Sequence, residues 1–248
     1  MSSPSLAIPS TSAAVATSED WLAARVELLR EEKELDRRRD ALSARRRALP
    51  RRRLDHDYRF VSDRGTVRLA ELFAGKSQLI VYHFMFAPGW GEGCCACSYV
   101  ADHFDGTLPH LAAREVAFAA VSRAPIEEIL PYKRRMGWRF EWISSHGTTF
   151  NFDFHVSFSE EALVRGEVDY NYGRRAVPQE EMPGLSVFTR DPDGSVLHAY
   201  STYGRGLDRI INTYNLLDLV PAGRNENPDT TMDWVRRHDD YAGTVAAS

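Results

Sequence analysis

All three cysteines of this chain lie within four residues, at Cys94, Cys95 and Cys97. Three thiols this close together do not serve as three ordinary core side chains. In a compartment that keeps thiols reduced, such clustering indicates redox chemistry or metal binding and argues against a framework of structural disulfides. Cys94 and Cys97 also have the C-x-x-C spacing of a redox-active pair.

The elements around the cysteines favour the redox interpretation. The apolar run SQLIVYHFMFA, residues 77–87, predicts a strand buried on both faces, and a helix is predicted from the cysteines onward. Cys94 would then lie at a helix N-terminus, where free amide groups and the helix dipole stabilise a thiolate. Such a position lowers a thiol pKa from about 8.5 into the range of about 3.5–7.5. We therefore predict that Cys94 attacks a disulfide and that Cys97, one turn later, resolves the mixed disulfide.

A second feature lies far along the chain, where Met182 and Pro183 precede the predicted strand GLSVF. X-Pro bonds are where cis peptides occur, and a cis Pro183 opposite the dithiol would turn the Met182 backbone towards a substrate. The alternative is that Pro183 simply begins an edge strand. Trp90, just before the cysteines, is expected to pack over the dithiol or to line the core.

The remaining elements predict an α/β fold with a central mixed sheet flanked by helices. EVAFAAVS, residues 115–122, is a second buried strand, and APIEEILPYKRRMG is the helix after it, which implies a parallel βαβ unit. Two strands joined by a turn at residues 191–194 and an amphipathic helix in GLDRIINTYNLLDLVP follow. Between them, GTTFNFDFHVSF is predicted as strand or ordered loop. This order of elements resembles the thioredoxin fold.

The N-terminal part differs in composition from the rest. Residues 1–17 are predicted to be disordered, and residues 18–50 to form one long charged helix that Thr17 caps and Pro50 ends. Apolar residues recur there at a spacing of seven, at Trp21, Leu28, Leu35, Leu42 and Leu49. The positions that would form the second apolar seam of a heptad repeat hold charged residues instead. A single stripe indicates a helix that packs on the rest of the chain or on a second subunit, so a homodimer through this helix is a possible assembly.

Charge and composition exclude several classes of function. Residues 30–53 contain eleven basic and five acidic residues, but no aromatic residues are interleaved with them, so we expect no nucleic-acid binding. No apolar run is long enough to span a membrane, and the first twenty residues lack the pattern of a signal peptide, so a cytoplasmic location is expected. Neither a G-x-G-x-x-G motif after a strand nor a P-loop motif is present, so no cofactor is expected.

Segments across residues 19–240, among them SQLIVYHFMFAPGWGEGC, DHFDGTLPHLAAR and PGLSVF, resemble a bacterial family known as domain of unknown function 899. Its members are described as thioredoxin-like, predicted dithiol-disulfide oxidoreductases. The resemblance implies a thioredoxin-like domain at about residues 55–220, followed by a C-terminal extension, residues 221–248, with a short helix. The implied substrate is a disulfide-bearing protein or a small thiol. Family members usually carry Pro-Ser between the cysteines, whereas this chain has Cys95 and Ala96.

Three alternatives remain open at this stage. A peroxiredoxin-like peroxidase fits Pro88, seven residues before Cys95, but Glu92 stands where that motif has Thr; Arg123 could supply the positive charge that a peroxidatic thiolate needs. The three cysteines could instead bind a metal, although no second cysteine pair exists. A non-catalytic interaction protein is the third alternative. His83, within the predicted strand, is a core histidine or tunes the thiolate from below.

Overall fold

The computed structural model describes residues 14–227 and 229–241. The chain divides into two compact units, one of Met1–Pro50 with Leu216–Asn225 and the other of Arg51–Asn215 with Glu226–Ser248. Most of the segment predicted to be disordered, residues 1–13, lies outside the described residues. None of the described helices is long and apolar enough to cross a membrane.

The first unit contains the predicted long helix, α1, at Ser18–Arg47. Thr17 caps it as predicted: its hydroxyl oxygen accepts a hydrogen bond from the Asp20 amide at 3.1 Å. Acidic residues occupy the first turn and arginines the last, which complements the helix dipole. No residue of α1 is buried in the chain.

The second unit is built on an eight-stranded sheet. Its strands are Arg52–Arg53 (β1), Arg59–Ser62 (β2), Gly65–Arg68 (β3), Gln78–His83 (β4), Val116–Ser122 (β5), Glu141–Ser144 (β6), Gly184–Arg190 (β9) and Val196–Tyr203 (β10). The strand order is β1-β10-β9-β4-β5-β6-β2-β3. Strands β4, β5 and β6 are parallel, whereas β9 is antiparallel to β4 and β10 is antiparallel to β9.

Helices follow each of the three parallel strands and the β9–β10 hairpin. They are Cys95–Ala101 (α2), Leu108–Ala112 (α3), Ile126–Arg135 (α4), Phe150–Asp153 (α5), Glu160–Val164 (α6) and Asn212–Leu217 (α7). A small second sheet pairs Val168–Tyr170 (β7) with Gly173–Arg175 (β8). A central strand that leads into the cysteine helix, a parallel neighbour, and an antiparallel hairpin on its other side make this a thioredoxin-like fold, as predicted.

Strand β4 contributes to a core on each face of the sheet. Leu79 and Val81 are buried in one cluster, which also contains Phe150, Phe154 and Phe188. Side chains alternate along a strand, so Tyr82 and Phe84 point to the opposite face. There the Tyr82 ring lies 5.1 Å from the Phe104 ring and the Phe84 ring 4.5 Å from the Trp142 ring. The second face is the one that carries the cysteines.

Three segments differ from their predicted structure. Residues 150–153, for which a strand or an ordered loop was predicted, form a helical turn, and the Phe150 and Phe154 rings pack together in the core with their centroids 4.7 Å apart. The helix predicted after β10 is divided into a 3₁₀ segment, Gly204–Ile210, and α7. The C-terminal helix is reduced to one 3₁₀ turn, His238–Asp240. Its side chains bond to other elements of the second unit, and these contacts bear on the cysteines.

Candidate active site: a dithiol at the start of helix α2

The passage from strand β4 to helix α2 holds Cys94 in place. The Cys94 amide donates to the Met85 carbonyl at 3.0 Å, and Cys94 is the N-cap residue of α2. The residue before it, Gly93, has no room for a side chain: a Cβ there would lie 2.6 Å from a Phe84 ring carbon and 2.7 Å from a Tyr132 ring carbon. Glycine therefore allows the backbone to pass close against two aromatic rings.

Cys94 and Cys97 interact directly as free thiols. The pKa of Cys94 is lowered from its ordinary value of 9.0 to about 7, first by a hydrogen bond from the Cys97 thiol. The amide groups of Cys97 and Ala96 and the positive charge of Arg237 act in the same direction, whereas burial opposes them. Cys94 is half-buried whereas Cys97 is buried, so Cys94 is the more accessible thiol of the pair.

Cys97 has the opposite character. It is 2% exposed, and burial raises its pKa well above the ordinary value, as does the neighbouring Cys94 sulfur. Its sulfur accepts a hydrogen bond from the Met85 amide at 3.5 Å, and the Tyr82 hydroxyl is buried beside it. Cys97 is therefore a protonated thiol held against a more acidic one.

Cys95 points away from this pair. Its thiol donates to the Val235 carbonyl at 3.4 Å, and burial raises its pKa. Cys95 thus contacts the C-terminal segment, and its thiol is less acidic than that of Cys94.

Arg237, in the C-terminal segment, is the functional residue that the sequence analysis missed. Its guanidinium donates from Nη2 to the Gly93 carbonyl at 2.9 Å and from Nε to the Tyr132 hydroxyl at 2.9 Å. The Tyr132 hydroxyl lies 2.7 Å from the Ser98 hydroxyl, which donates to the Cys94 carbonyl at 2.9 Å. The arginine thus holds the backbone on both sides of the Cys94 sulfur. The only sequence feature that pointed to it was a pair of arginines in an acidic tail.

Glu92, two residues before Cys94, is paired with two arginines. Its carboxylate bonds to Arg135 and lies 3.0 Å from the Arg237 guanidinium. Arg135 also binds Asp239 at 2.7 Å. Two arginines therefore pair with the Glu92 carboxylate, and the Arg135–Asp239 and Arg237–Glu92 pairs attach the C-terminal segment near Cys94.

Pro183 and Cys97 line one cavity of about 200 Å³. The other walls are mainly apolar and include Tyr82, Met85, Val100, Leu207, Ile211 and Met232. The described residues contain no cis peptide bond, so the Met182–Pro183 peptide is trans. The cis conformation considered above for Pro183 is therefore wrong. The Met182 amide already donates to the Val156 carbonyl at 2.8 Å and so is not available to a substrate.

Trp90 and Arg123 meet at an acidic pair. The Trp90 indole donates to Glu180 at 3.4 Å, and Arg123 binds both Glu180 and Glu181. Burial raises the pKa of Glu181 to about 7, against the lowering effect of Arg123. Arg123 is therefore neutralised by two carboxylates, and the arginine whose charge lowers the pKa of Cys94 is Arg237.

His83 is a core residue, one of the two roles considered for it. It is 1% exposed, its Nε2 lies 2.8 Å from the Ser186 hydroxyl, and its ring stacks on Phe150 and Phe154. Burial lowers its pKa to about 3. Because His83 faces the side of β4 opposite to Tyr82, it does not tune the thiolate from below.

A metal centre finds no geometric support. Within the described residues, no group of three or more His, Cys, Asp or Glu side chains is arranged to hold a metal ion. The directions of the three cysteines account for this, since Cys95 bonds to Val235 while Cys94 and Cys97 face each other.

The family model described as bacterial protein of unknown function (DUF899) matches residues 10–241. The chain belongs to this family. The resemblance stated from the sequence segments is thereby confirmed over nearly the whole chain. No curated protein matches the sequence.

Several solved structures are similar to this chain. Peroxidoxin BcpB from Mycobacterium tuberculosis is 15% identical, and the alignment covers 64% of this chain and 91% of that chain at a TM-score of 0.41. A mutant of Xanthomonas campestris peroxiredoxin Q is 12% identical, with 64% and 90% covered and a TM-score of 0.40. A candidate protein disulfide isomerase from Bacteroides thetaiotaomicron is 14% identical, with 66% and 86% covered and a TM-score of 0.39.

Proposed function

We propose that this protein is a thiol-disulfide oxidoreductase in which Cys94 attacks and Cys97 resolves. The observation that carries the proposal is the unequal pair: a half-buried Cys94 with a pKa of about 7 and a fully buried Cys97 thiol that donates a hydrogen bond to it. At neutral pH, a thiol with this pKa is about half ionised, which is close to the optimum for an attacking thiol.

The reaction proceeds in two exchanges. The Cys94 thiolate attacks one sulfur of a substrate disulfide, which forms a mixed disulfide and releases the other substrate sulfur as a thiolate. Cys97 then attacks the Cys94 sulfur, its proton passes to the departing thiolate, and a Cys94–Cys97 disulfide forms. Two electrons move from the protein to the substrate, and two external thiols, or one dithiol, return them in the reverse sequence and leave as a disulfide.

The difference in burial supports this order of attack. Cys97 is 2% exposed and its pKa is raised, so an external disulfide reaches Cys94 first. Once Cys94 is in the mixed disulfide, Cys97 is the thiol already in contact with its sulfur. The apolar cavity that Pro183 and Cys97 share would receive the part of the substrate next to the reacting sulfur. A disulfide-bearing protein or a small thiol remains the proposed substrate, in a reducing compartment such as the cytoplasm.

A redox titration with trapping tests the proposal. Protein equilibrated in glutathione or dithiothreitol buffers would be alkylated and digested for mass spectrometry. We expect a reversible Cys94–Cys97 link with a potential between roughly -270 and -120 mV, the range of thioredoxin-like catalysts. Cys97→Ser should accumulate a mixed disulfide with glutathione at Cys94, and Cys94→Ser should not. Failure of wild-type protein to form the link at any potential would refute the proposal.

Trapping and mass spectrometry of the same protein also distinguish the proposed function from a peroxidase. A peroxidatic cysteine must ionise readily, whereas burial raises the pKa of Cys95 and its thiol donates to the Val235 carbonyl. Under the proposed function, treatment with peroxide should produce no stable sulfenic acid at Cys95. Rapid and stoichiometric sulfenic acid at Cys95, without the Cys94–Cys97 link, would favour a peroxidase.

A further inference from the structure

The long helix α1 carries an exposed apolar stripe along its whole length. Five large side chains at a spacing of seven are between 43% and 61% exposed. Trp21, Leu28, Leu35 and Leu42 lie on the helix, and Leu49 lies two residues beyond its last residue, Arg47. A helix of thirty residues is about 45 Å long, so the stripe is a continuous seam and not a local patch. Seven-residue spacing keeps such a seam facing a partner helix that winds around it.

Two rows of residues flank this stripe, and their charges define which partner it fits. The first row lies three residues after each stripe position and consists of Ala24, Glu31, Arg38 and Arg45. The second row lies four residues after each position and consists of Arg25, Glu32, Arg39 and Arg46. In both rows the residue before Leu35 is acidic and the residue after it is basic.

A second copy of the helix could pair in a parallel or an antiparallel orientation, and the two orientations bring different charges together. In a parallel pair the first row faces the second row, which brings Glu31 opposite Glu32 and Arg38 opposite Arg39. In an antiparallel pair centred on Leu35, each row faces its own copy in reverse. Glu31 then faces Arg38 of the second copy, and Glu32 faces Arg39. Twofold symmetry repeats both contacts, so four opposite-charge pairs surround the centre.

We propose that α1 binds a second copy of this chain through an antiparallel helix pair centred on Leu35. Leu28 of one copy then faces Leu42 of the other on each side of the centre, and Trp21 lies near the end of the partner helix. The charged residues at the centre already pair within the helix, as in Arg38 with Glu34 at 3.0 Å and Arg25 with Glu32 at 2.7 Å. Those side chains are 38–75% exposed, and such surface pairs contribute little, so they exchange readily for pairs between helices.

Sedimentation velocity of the full-length chain under reducing conditions, over a wide range of concentrations, tests for the dimer. We expect wild-type protein to reach twice the mass of the chain. Leu35→Glu, which places two carboxylates at the centre of the seam, should raise the dissociation constant at least tenfold. Val164→Glu is the matched control, because Val164 is 81% exposed outside α1, and it should leave the dimer unchanged. Far-UV circular dichroism checks that each variant keeps its helix.

Charge reversal tests the orientation. Glu31→Arg with Glu32→Arg should weaken an antiparallel dimer about tenfold, which corresponds to ~1.4 kcal/mol. Adding Arg38→Glu and Arg39→Glu in the same chain should restore it, because every central pair is again of opposite charge. A parallel dimer keeps like charges opposed in all these chains and would respond to neither change.

The proposal is overturned by a wild-type chain that stays monomeric at every concentration, which would leave the stripe to another partner. An unchanged dissociation constant in Leu35→Glu would also overturn it. So would a chain with all four charge substitutions that dimerises no better than the chain with two.

Discussion

Replacing Arg237 by Gln should raise the pKa of Cys94 above its value of about 7. The guanidinium lies next to the motif, where it donates to the Gly93 carbonyl at 2.9 Å and attracts the thiolate. Its effect is smaller than that of the Cys97 thiol and of the two amide groups, all of which the variant retains. We therefore expect a rise of roughly 0.5–1 unit, below the 1–3 units that a directly adjacent opposite charge produces on a carboxyl group.

This rise has a calculable effect on reactivity. Below both pKa values, near pH 6, the population of Cys94 thiolate should fall by a factor of roughly 3–10. A more basic thiolate is a better nucleophile, with a Brønsted coefficient of about 0.4–0.5, so the rate of alkylation should fall only by roughly 2–4-fold. At about pH 9 Cys94 is mostly ionised in both proteins, so the order reverses and Arg237→Gln should be alkylated roughly 1.5–3 times faster than wild-type protein, because its thiolate is the more basic.

The ultraviolet absorbance of thiolate, followed against pH, measures the pKa directly. The pKa values of Cys95 and Cys97 are both raised, so the acid part of the titration reports Cys94. Arg236→Gln is the control, since Arg236 is an exposed neighbour with no role in lowering the pKa of Cys94. A folded Arg237→Gln variant with the wild-type midpoint, or an equal shift in Arg236→Gln, would refute the reasoning. Arg237→Lys should recover part of the shift because it keeps the charge.

The same pKa links the stability of the reduced protein to pH. Because the folded value of Cys94, about 7, lies below its ordinary value of 9.0, ionisation of this thiol favours the folded state. Its contribution should be fully present above about pH 9 and be lost as the pH falls through about 7. Denaturant unfolding across this window should show a smaller gain with pH in Arg237→Gln than in wild-type protein.

Three further substitutions test other parts of the site. Gly93→Ala, whose Cβ would meet two aromatic rings within 3 Å, should cost about 1–3 kcal/mol of unfolding free energy, whereas Gly106→Ala, in open space, should cost little; equal costs by denaturant unfolding would contradict this. His83→Ala should cost roughly 2–4 kcal/mol by leaving a cavity yet leave the thiolate titration unchanged, and a shifted titration midpoint would count against a purely structural His83. Cys95→Ala should keep the same redox potential for the Cys94–Cys97 link; loss of the link on trapping would assign Cys95 to the reactive pair.

Much of the fold follows from patterns that are local in the sequence. The continuous apolar run of β4 predicts a buried strand, and Thr17 and Pro50 predict the two ends of the long helix α1. Each of these depends on residues a few positions apart, whose conformational preferences act whether or not the rest of the chain is folded. Local patterns left residues 150–153 open between strand and ordered loop, and the helical turn there places the Phe150 and Phe154 rings together in the core, a contact that only the folded chain provides.

The sequence alone predicted a C-x-x-C pair at a helix start and a distant Pro183 beside it, because both belong to recognisable local motifs. Only the tertiary structure decided which groups set the properties of the thiols. Arg237 reaches Gly93 across 144 positions of sequence, and Tyr132 and Ser98 complete the link to Cys94 from two different helices. Alternation along β4 predicts that His83 and Tyr82 face opposite sides, but only the packed helices determine which side holds the dithiol. Burial and charge depend on neighbours in space, and these neighbours exist only after the chain has folded.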